Sequence, residues 1–139
     1  MVSVTEMRLS DYDEVIALWK SGLGITVDDS DSPEGIQRYL DRNPSSSFVA
    51  REHRTLLGAV LGGHDGRRGY LHHLAVIESR RKSGIGRLLA DHVLDALSRQ
   101  GIRRCHLFVR AGNGNAQEFW KHIGWKHRVD IVMMSHPIP

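Results

Sequence analysis

Hydrophobic and polar residues follow two different periods along this chain, and the change of period separates strands from helices. Residues 70–77 are largely apolar, which predicts a buried strand. Residues 85–97 instead carry apolar side chains at helical spacing, which predicts an amphipathic helix that ends at Gly101. A short basic turn containing Gly84 and Gly86 lies between them. A strand, a glycine turn and a helix therefore follow one another in the middle of the chain.

The same periods predict the other elements. Further strands are expected at residues 2–9, 48–50, 56–61, 103–110 and 126–134, and further helices within residues 10–22, 33–42 and 113–122. The expected order is β-α-α-β-β-β-α-β-α-β. This is the α/β class, with a mixed sheet against which the helices pack.

Several helix ends are expected at residues that satisfy free backbone groups. Ser10 is expected to cap the first helix, and Gly22 and Gly24 to end it. Ser32 followed by Pro33 is typical of a helix start, with serine as the cap and proline at the first helical position.

Composition narrows the class of protein. The chain has 139 residues, of which 40% are hydrophobic and 25% charged, and this predicts one domain over residues 1–139. No apolar run approaches the roughly 18 residues of a membrane span, and the N-terminus does not resemble a signal peptide. The lone Cys105 excludes an internal disulfide and favours a reducing cytoplasm. It is expected to be a small buried hydrophobe, and no metal site is expected.

The basic turn is the main candidate for ligand binding. Free N–H groups at a helix N-terminus attract anions, glycines allow close approach, and the cations at 80–82 add positive charge. The spacing fits neither a Walker loop nor the dinucleotide fingerprint, because no Lys-Ser or Lys-Thr pair and no third glycine follow. It does fit [Arg/Gln]-x-x-Gly-x-[Gly/Ala], with Arg81, Gly84 and Gly86. Basic residues cluster at 80–87 and 99–104 within a net charge of +3, which favours a small polyanion over DNA.

In these residues the chain resembles the GNAT superfamily, the GCN5-related acyl-CoA N-acyltransferases. A second signature of that family is matched downstream by Asn113-x-x-Ala116-x-x-Phe119-Trp120-x-x-x-Gly124-Trp125. The resemblance covers residues 48–125, and the first forty residues carry no signature.

The resemblance implies where acetyl-CoA, the expected cosubstrate, is bound. The fourth and fifth strands splay apart in this family, and the backbone of the fourth strand pairs with the pantetheine arm. Residues expected to contact the cosubstrate are Leu74, Ala75 and Val76 through their backbone, and Arg81, Lys82, Ser83, Gly84, Ile85 and Gly86 in the phosphate turn. Asn113 either bonds the pantetheine arm or caps the last helix, and Asn115 is favoured as that cap.

The implied reaction is direct attack of an amine on the acetyl thioester, with a backbone N–H of strand residues 74–76 stabilising the oxyanion. The amine must be neutral, which at pH 7 costs a lysine-like amine about 4–5 kcal/mol and a peptide α-amine about 1 kcal/mol. His72 and His73 lie where relatives often have a carboxylate or a water relay. Because neighbours on a strand point to opposite faces, at most one of them is expected to face the cleft. We favour His73 over His72 as the general base.

Trp120 departs from the family signature, in which many relatives have a tyrosine that protonates the departing thiolate. An indole N–H does not release its proton near neutral pH, so a side-chain general acid is not expected here. A thiol pKa of about 8.5 still makes the thiolate a fair leaving group. Trp120 is expected to line the thioester site or to hydrogen-bond the sulfur, or else to be a packed aromatic residue.

The acceptor is not identified by the sequence. Asp28, Asp29 and Asp31 are expected to form a solvated acidic run in a loop that helps to form the acceptor site in the family. The leading interpretation is an acetyl-CoA-dependent N-acetyltransferase acting on a primary amine of a small molecule, protein or peptide. The alternative is a non-catalytic acyl-CoA-binding sensor or regulatory domain, and a third is nucleotide or RNA binding. Neither a nucleic-acid nor a membrane partner is expected, and a homodimer stays open.

Overall fold

The computed structural model describes residues 1–21 and 24–139, so the helix end expected at Gly22 lies outside the described residues. The chain divides into two compact units, Met1–Phe108 and Val109–Pro139. Each unit is described by itself, and the single domain expected from the sequence stays a prediction.

The first unit contains one five-stranded mixed sheet. Its strands are β1 (Val2–Glu6), β2 (Phe48–Glu52), β3 (Thr55–His64), β4 (Gly69–Val76) and β5 (Cys105–His106). They lie side by side in the order of the sequence, the first four antiparallel and β5 parallel to β4. A parallel neighbour needs a crossover connection, and a helix between β4 and β5 supplies it.

Helices cover both faces of this sheet. They are α1 (Tyr12–Lys20), α2 (Pro33–Arg42) and α3 (Ile85–Arg99), all in the first unit. The second unit, described by itself, contains α4 (Gly114–His122). A Cβ added to Gly62 would meet Val93 of α3, whereas one added to Gly63 would meet Asn43 and Tyr39 at α2. Because successive strand residues point to opposite faces, α2 and α3 cover opposite sides of β3. These elements confirm the expected α/β class.

The main apolar cluster lies under α1 and α2. Trp19, Val15 and Ile36 are almost fully buried there and pack with residues of β2 and β3. Burial of a large side chain contributes roughly 1.5–3 kcal/mol, so this cluster fixes the two helices on the sheet. Ile25, in the segment before α2, and Ala75 of β4 pack against the same cluster.

The caps agree with the sequence in one case and differ in two. Ser32 caps α2 as expected, with its hydroxyl accepting from the Gly35 N–H at 3.0 Å. Ser10 does not cap α1, because the chain enters that helix directly from a 3₁₀ turn, Leu9–Asp11. Asn115 lies inside α4, and Asn113 is its cap, with Oδ1 accepting from the Ala116 N–H at 3.1 Å.

Two of the predicted strands differ from the structure: one is shorter than expected, and the other is not formed. The strand expected at 103–110 is reduced to β5, and the strand expected at 126–134 is absent, since that segment has no assigned regular structure. Alternating polarity becomes a strand only where a neighbouring strand supplies ladder hydrogen bonds, and the described residues show none for this segment. Val129 and Val132 are consequently exposed.

Candidate active site

The end of β4 is where the sheet opens. β5 pairs with β4 at only two positions, Gly69–Cys105 and Tyr70–His106. β4 continues to Val76, and among the described residues no strand pairs with that stretch on the β5 side. The residues expected to bind the cosubstrate through their backbone (Leu74, Ala75 and Val76) all lie there.

A β-bulge interrupts β4 in the same stretch. Pairing runs from 59↔75 to 61↔72, so β4 advances by three residues while β3 advances by two. A bulge leaves its extra residue without a ladder partner and bends the strand. His73 lies in the bulge with φ of 55°, a left-handed conformation that is uncommon outside glycine and that histidine and asparagine adopt more often than most residues.

The bulge places both histidines on the same face of the sheet. His73 packs on Trp19 of α1, with ring centroids 4.9 Å apart, and His72 packs on Tyr39 of α2, at 6.3 Å. The expectation that His72 and His73 point to opposite faces was therefore wrong. Strict alternation holds only for a regular strand, and the bulge begins directly after His72 and includes His73.

His73 is paired with a buried carboxylate. Its Nε2 lies 3.1 Å from Oδ1 and 3.2 Å from Oδ2 of Asp31. The Asp31 side chain is only 5% exposed, and the His73 side chain retains 22% exposure. The solvated acidic run expected at residues 28–31 was thus wrong for Asp31.

Local hydrogen bonds hold Asp31 in this position. It ends a 3₁₀ turn, Asp29–Asp31, in which its Oδ2 accepts from the Asp28 N–H at 3.2 Å. The Tyr12 hydroxyl donates to the Asp31 carbonyl at 2.6 Å. The three-residue spacing of Asp28 and Asp31 is a sequence signal for the turn. No such signal exists for a contact with His73, which is 42 residues away.

His72 has a different, apolar environment. Its ring stacks with those of Tyr70 and Phe108, at centroid distances of 6.2 Å and 6.0 Å. Burial, followed by the charge of His73, lowers the pKa of His72, so its neutral form is favoured. His72, Tyr70 and Tyr39 line part of a cavity of about 260 Å³ on the α2 face.

The basic turn after β4 has an unusual backbone. Lys82 and Gly84 both have positive φ, 61° and 88°. The Arg81 side chain turns back to β4, with Nε donating to the Val76 carbonyl at 3.1 Å, and Ser83 Oγ donates to the Arg80 carbonyl. Within the described residues Lys82 makes no ion pair. The turn is therefore fixed at both sides while its middle faces solvent.

The N-terminus of α3 has no side-chain cap. Gly84 occupies the cap position, and the first backbone bond of the helix is from the Leu88 N–H to the Gly84 carbonyl at 3.0 Å. The first-turn N–H groups of an α-helix have no partner within the helix. A Cβ added to Gly84 would meet no atom of the described residues within 4 Å. Ile85 is buried, so only its backbone can face a ligand at this point.

The second unit contains the remaining predicted residues. Trp120 is 9% exposed, and its ring packs edge-on against Phe119 and Trp125, at centroid distances of 5.0 Å and 5.1 Å. The Trp125 N–H donates to the Trp120 carbonyl at 2.9 Å. Asn113 caps α4 as described above. A role of either residue toward a cosubstrate stays a prediction.

The thiol of Cys105 does not offer an alternative nucleophile. Burial raises the pKa of the Cys105 thiol to about 12, which leaves it protonated and a poor nucleophile at neutral pH. Residues 1–21 and 24–139 contain no group of three or more His, Cys, Asp or Glu arranged to hold a metal ion. Over the same residues, no helix has the length and apolar character that crossing a bilayer requires.

The sequence and the fold both match known proteins. The family profile of the acetyltransferase (GNAT) family matches residues 12–125. An acetyltransferase of Yersinia pestis (strain Pestoides F) is 31% identical over 125 residues, which cover 90% of this chain and 87% of the relative. The PaiA N-acetyltransferase of Thermoplasma acidophilum in complex with coenzyme A is similar in structure, with a TM-score of 0.78, 18% identity, and coverage of 91% of this chain and 90% of that chain. AAC(6′)-Iy, in complex with the bisubstrate analogue CoA-S-monomethyl-acetylneamine, gives a TM-score of 0.80 at 16% identity, with 99% of each chain covered.

A five-stranded mixed sheet that opens at the end of β4, followed by a glycine turn, defines the class of protein as an acyltransferase fold. The chain belongs to the acetyltransferase (GNAT) family, and it is an acetyltransferase.

Proposed function

We propose that this enzyme transfers an acetyl group from acetyl-CoA to a primary amine of a small molecule, protein or peptide, by direct attack of the amine on the thioester. The observation that carries the proposal is the arrangement at the end of β4. There an unpaired strand edge, a turn with left-handed Lys82 and Gly84, and an uncapped helix follow one another.

The residues of the turn fit a diphosphate. The uncapped N–H groups of α3 and the charge of Lys82 favour an anion, and the open space over Gly84 lets a phosphate approach the backbone. Arg81 is held against the Val76 carbonyl, so it contributes a cation at the junction of strand and turn. The proposed contacts with the cosubstrate are the backbone of Leu74, Ala75 and Val76, the turn from Arg81 to Gly86, and Asn113 and Trp120.

His73 is proposed as the general base, because it keeps access to solvent and has a carboxylate partner, whereas His72 is held in an aromatic stack. In the reaction the N–C bond forms as the amine attacks, and the C–S bond breaks with its electron pair going to sulfur. His73 accepts one proton from the nitrogen and then releases it to solvent, and the thiolate takes one proton from solvent to become the thiol. A backbone N–H at the β4 bulge is proposed to stabilise the oxyanion.

The cavity beside His72 gives room for an acceptor on the same face of the sheet as His73. A peptide α-amine needs a base much less than a lysine-like amine does, by about 3–4 kcal/mol at pH 7. A panel of both amine types therefore reports on the base as well as on the acceptor.

The proposal is tested by melting and by thiol release. Acetyl-CoA at a hundredfold excess over its Kd should stabilise the fold by about 2.7 kcal/mol, which for this length raises Tm by roughly 8–11 °C. ATP should give no comparable shift, and free thiol should appear when a suitable amine is added. Equal shifts with ATP would indicate a general phosphate site, and binding without turnover on any amine would indicate a sensor.

The turn itself is tested by replacing both Arg81 and Lys82 with alanine. Loss of two cations should weaken binding of acetyl-CoA, and the loss should shrink as salt is raised. The control is the double replacement of Lys20 and Arg38 with alanine, which removes the same charge from exposed positions of α1 and α2. Unchanged affinity in the first variant would contradict the assignment of the turn.

A further inference from the structure

We propose that Asp31 is a positioning residue that holds the His73 imidazole with its proton on Nε2 and leaves Nδ1 as the basic nitrogen. The proposal rests on the proposed function, since it assigns a task to the partner of the general base. It adds the atom that accepts the proton and the residue that selects that atom.

The hydrogen bonds determine which nitrogen is basic. Both oxygens of Asp31 lie within 3.2 Å of His73 Nε2, and a carboxylate can only accept. A neutral imidazole carries one N–H, so that proton must be on Nε2 and the lone pair on Nδ1. Among the described residues no hydrogen bond to Nδ1 is observed. Nδ1 is therefore the nitrogen that can take a proton from an amine.

The carboxylate can perform this task because it is itself fixed. Asp31 is 4% exposed, and it is held by the Asp28 N–H and through its carbonyl by the Tyr12 hydroxyl. The imidazole also packs edge-on against the ring of Trp19, which is fully buried. A side chain with few remaining rotamers loses little conformational entropy when the reaction proceeds.

The strained backbone of His73 supports the same conclusion. A histidine at φ of 55° is less favourable than one in the right-handed region, so other interactions must stabilise it. The hydrogen bond from its Nε2–H to Asp31 and the contact with Trp19 hold this residue in place. When His73 accepts a proton, the carboxylate 3.1 Å away stabilises the resulting imidazolium.

The first measurement reads the tautomer directly and needs no activity. Long-range ¹H–¹⁵N correlation spectra of the full chain, labelled with ¹⁵N-histidine and assigned by comparison with His73→Asn, should show neutral His73 protonated on Nε2. Asparagine tolerates positive φ, so His73→Asn keeps the bulge. Protonation of neutral His73 on Nδ1 in the wild-type protein would overturn the proposal, whatever the enzyme does.

The second measurement is a double-mutant cycle on turnover. Asp31→Asn should lower kcat/KM for the acceptor by about 10- to 100-fold, which is within the range of general-base contributions, and should leave KM for acetyl-CoA nearly unchanged. In the His73→Asn background the same replacement should cause little further loss. A purely structural role of Asp31 would give the full loss in both backgrounds, and that result would overturn the proposal. Asp41→Asn, on the exposed side of α2, is the charge-matched control.

The two proposals fail in different ways. If His73 is the Nε2–H tautomer but no amine is turned over, the proposed function is contradicted and the positioning role of Asp31 is supported. Turnover that is lost in His73→Asn and unaffected in Asp31→Asn supports the base and overturns the role of Asp31. Should Asp31→Asn fail to fold, the tautomer of the wild-type protein still decides.

Discussion

The guanidinium of Arg80 donates to the carboxylate of Glu52, with Nη1 2.8 Å from Oε1. This pair joins the 3₁₀ turn before the basic turn to the end of β2. The positive charge of Arg80 is thereby offset, so of the three adjacent cations Arg81 and Lys82 remain to attract an anion.

The pair predicts a specific dependence of stability on acid. Hydrogen bonds from Arg80, followed by those from the Met1 amino group, lower the pKa of Glu52 to about 2. A carboxyl whose pKa is lowered by folding stabilises the folded state at every pH above its pKa in the unfolded chain. That contribution is lost as the pH falls toward about 2. Glu52→Gln should therefore lower Tm slightly at pH 7 and leave it unchanged near pH 2. Thermal melts across that pH range check this, with Glu34→Gln as the control. A difference in Tm between Glu52→Gln and the wild-type protein that does not change with pH would contradict the prediction.

Replacing the two glycines of the turn by alanine should change the stability of the fold in opposite directions. Gly84 has φ of 88°, so Gly84→Ala should destabilise the fold by about 1–2 kcal/mol and weaken binding of acetyl-CoA. Gly86 lies within α3, so Gly86→Ala should stabilise the fold by up to about 1 kcal/mol. The family pattern accepts alanine at this second position, and binding should be retained.

Melting temperatures and calorimetric affinities of both alanine variants test this pair. Equal affinity of Gly84→Ala and the wild-type protein would show that the turn does not carry the phosphates. Equal melting of the two variants would show that the left-handed conformation of Gly84 is not needed in solution.

His72 should make the fold less stable in mild acid. Its pKa is lowered by burial, so between that value and about 6.5 the unfolded chain binds a proton that the folded chain does not. Stability should therefore decrease as the pH falls below about 6.5. His72→Phe, which keeps an aromatic ring between Tyr70 and Phe108, should flatten this part of the Tm curve. Parallel curves for the two proteins would assign the acid sensitivity to other groups.

The parts of the site that local sequence determines were predicted well. The apolar run of β4, the glycines of the turn and the helical period of α3 lie within thirty consecutive residues, and each has a local physical cause. Ser32 and Pro33 at the start of α2 are a second example. In these cases the same few residues both form the element and determine its end.

The parts that depend on distant contacts were not predicted. The pairing of Asp31 with His73 joins two elements 42 residues apart, and only the packing of α1 and α2 on the sheet brings them together. The bulge in β4 depends on the register with β3, so the alternation rule failed at His72 and His73. Alternation at 126–134 likewise did not produce a strand in the absence of a paired neighbour.

Trp120 stands at the position where the family signature has a tyrosine. An indole N–H does not act as an acid near neutral pH, so Trp120→Phe should retain kcat within about tenfold of the wild-type value. Phenylalanine can keep part of the edge-on packing against Phe119 and Trp125, whereas Trp120→Ala should cost about 3–5 kcal/mol of stability.

Steady-state kinetics and melting of these variants, together with Trp120→Tyr, separate packing from chemistry. If thiolate departure needs no acid, kcat of the tyrosine variant should stay near that of the wild-type protein, because a thiol pKa of about 8.5 already allows the thiolate to leave. A large gain in kcat on introducing tyrosine would show that an acid is missing from this enzyme. Loss of turnover in Trp120→Phe with unchanged melting and acetyl-CoA affinity would instead assign the indole N–H a hydrogen bond to the reacting group.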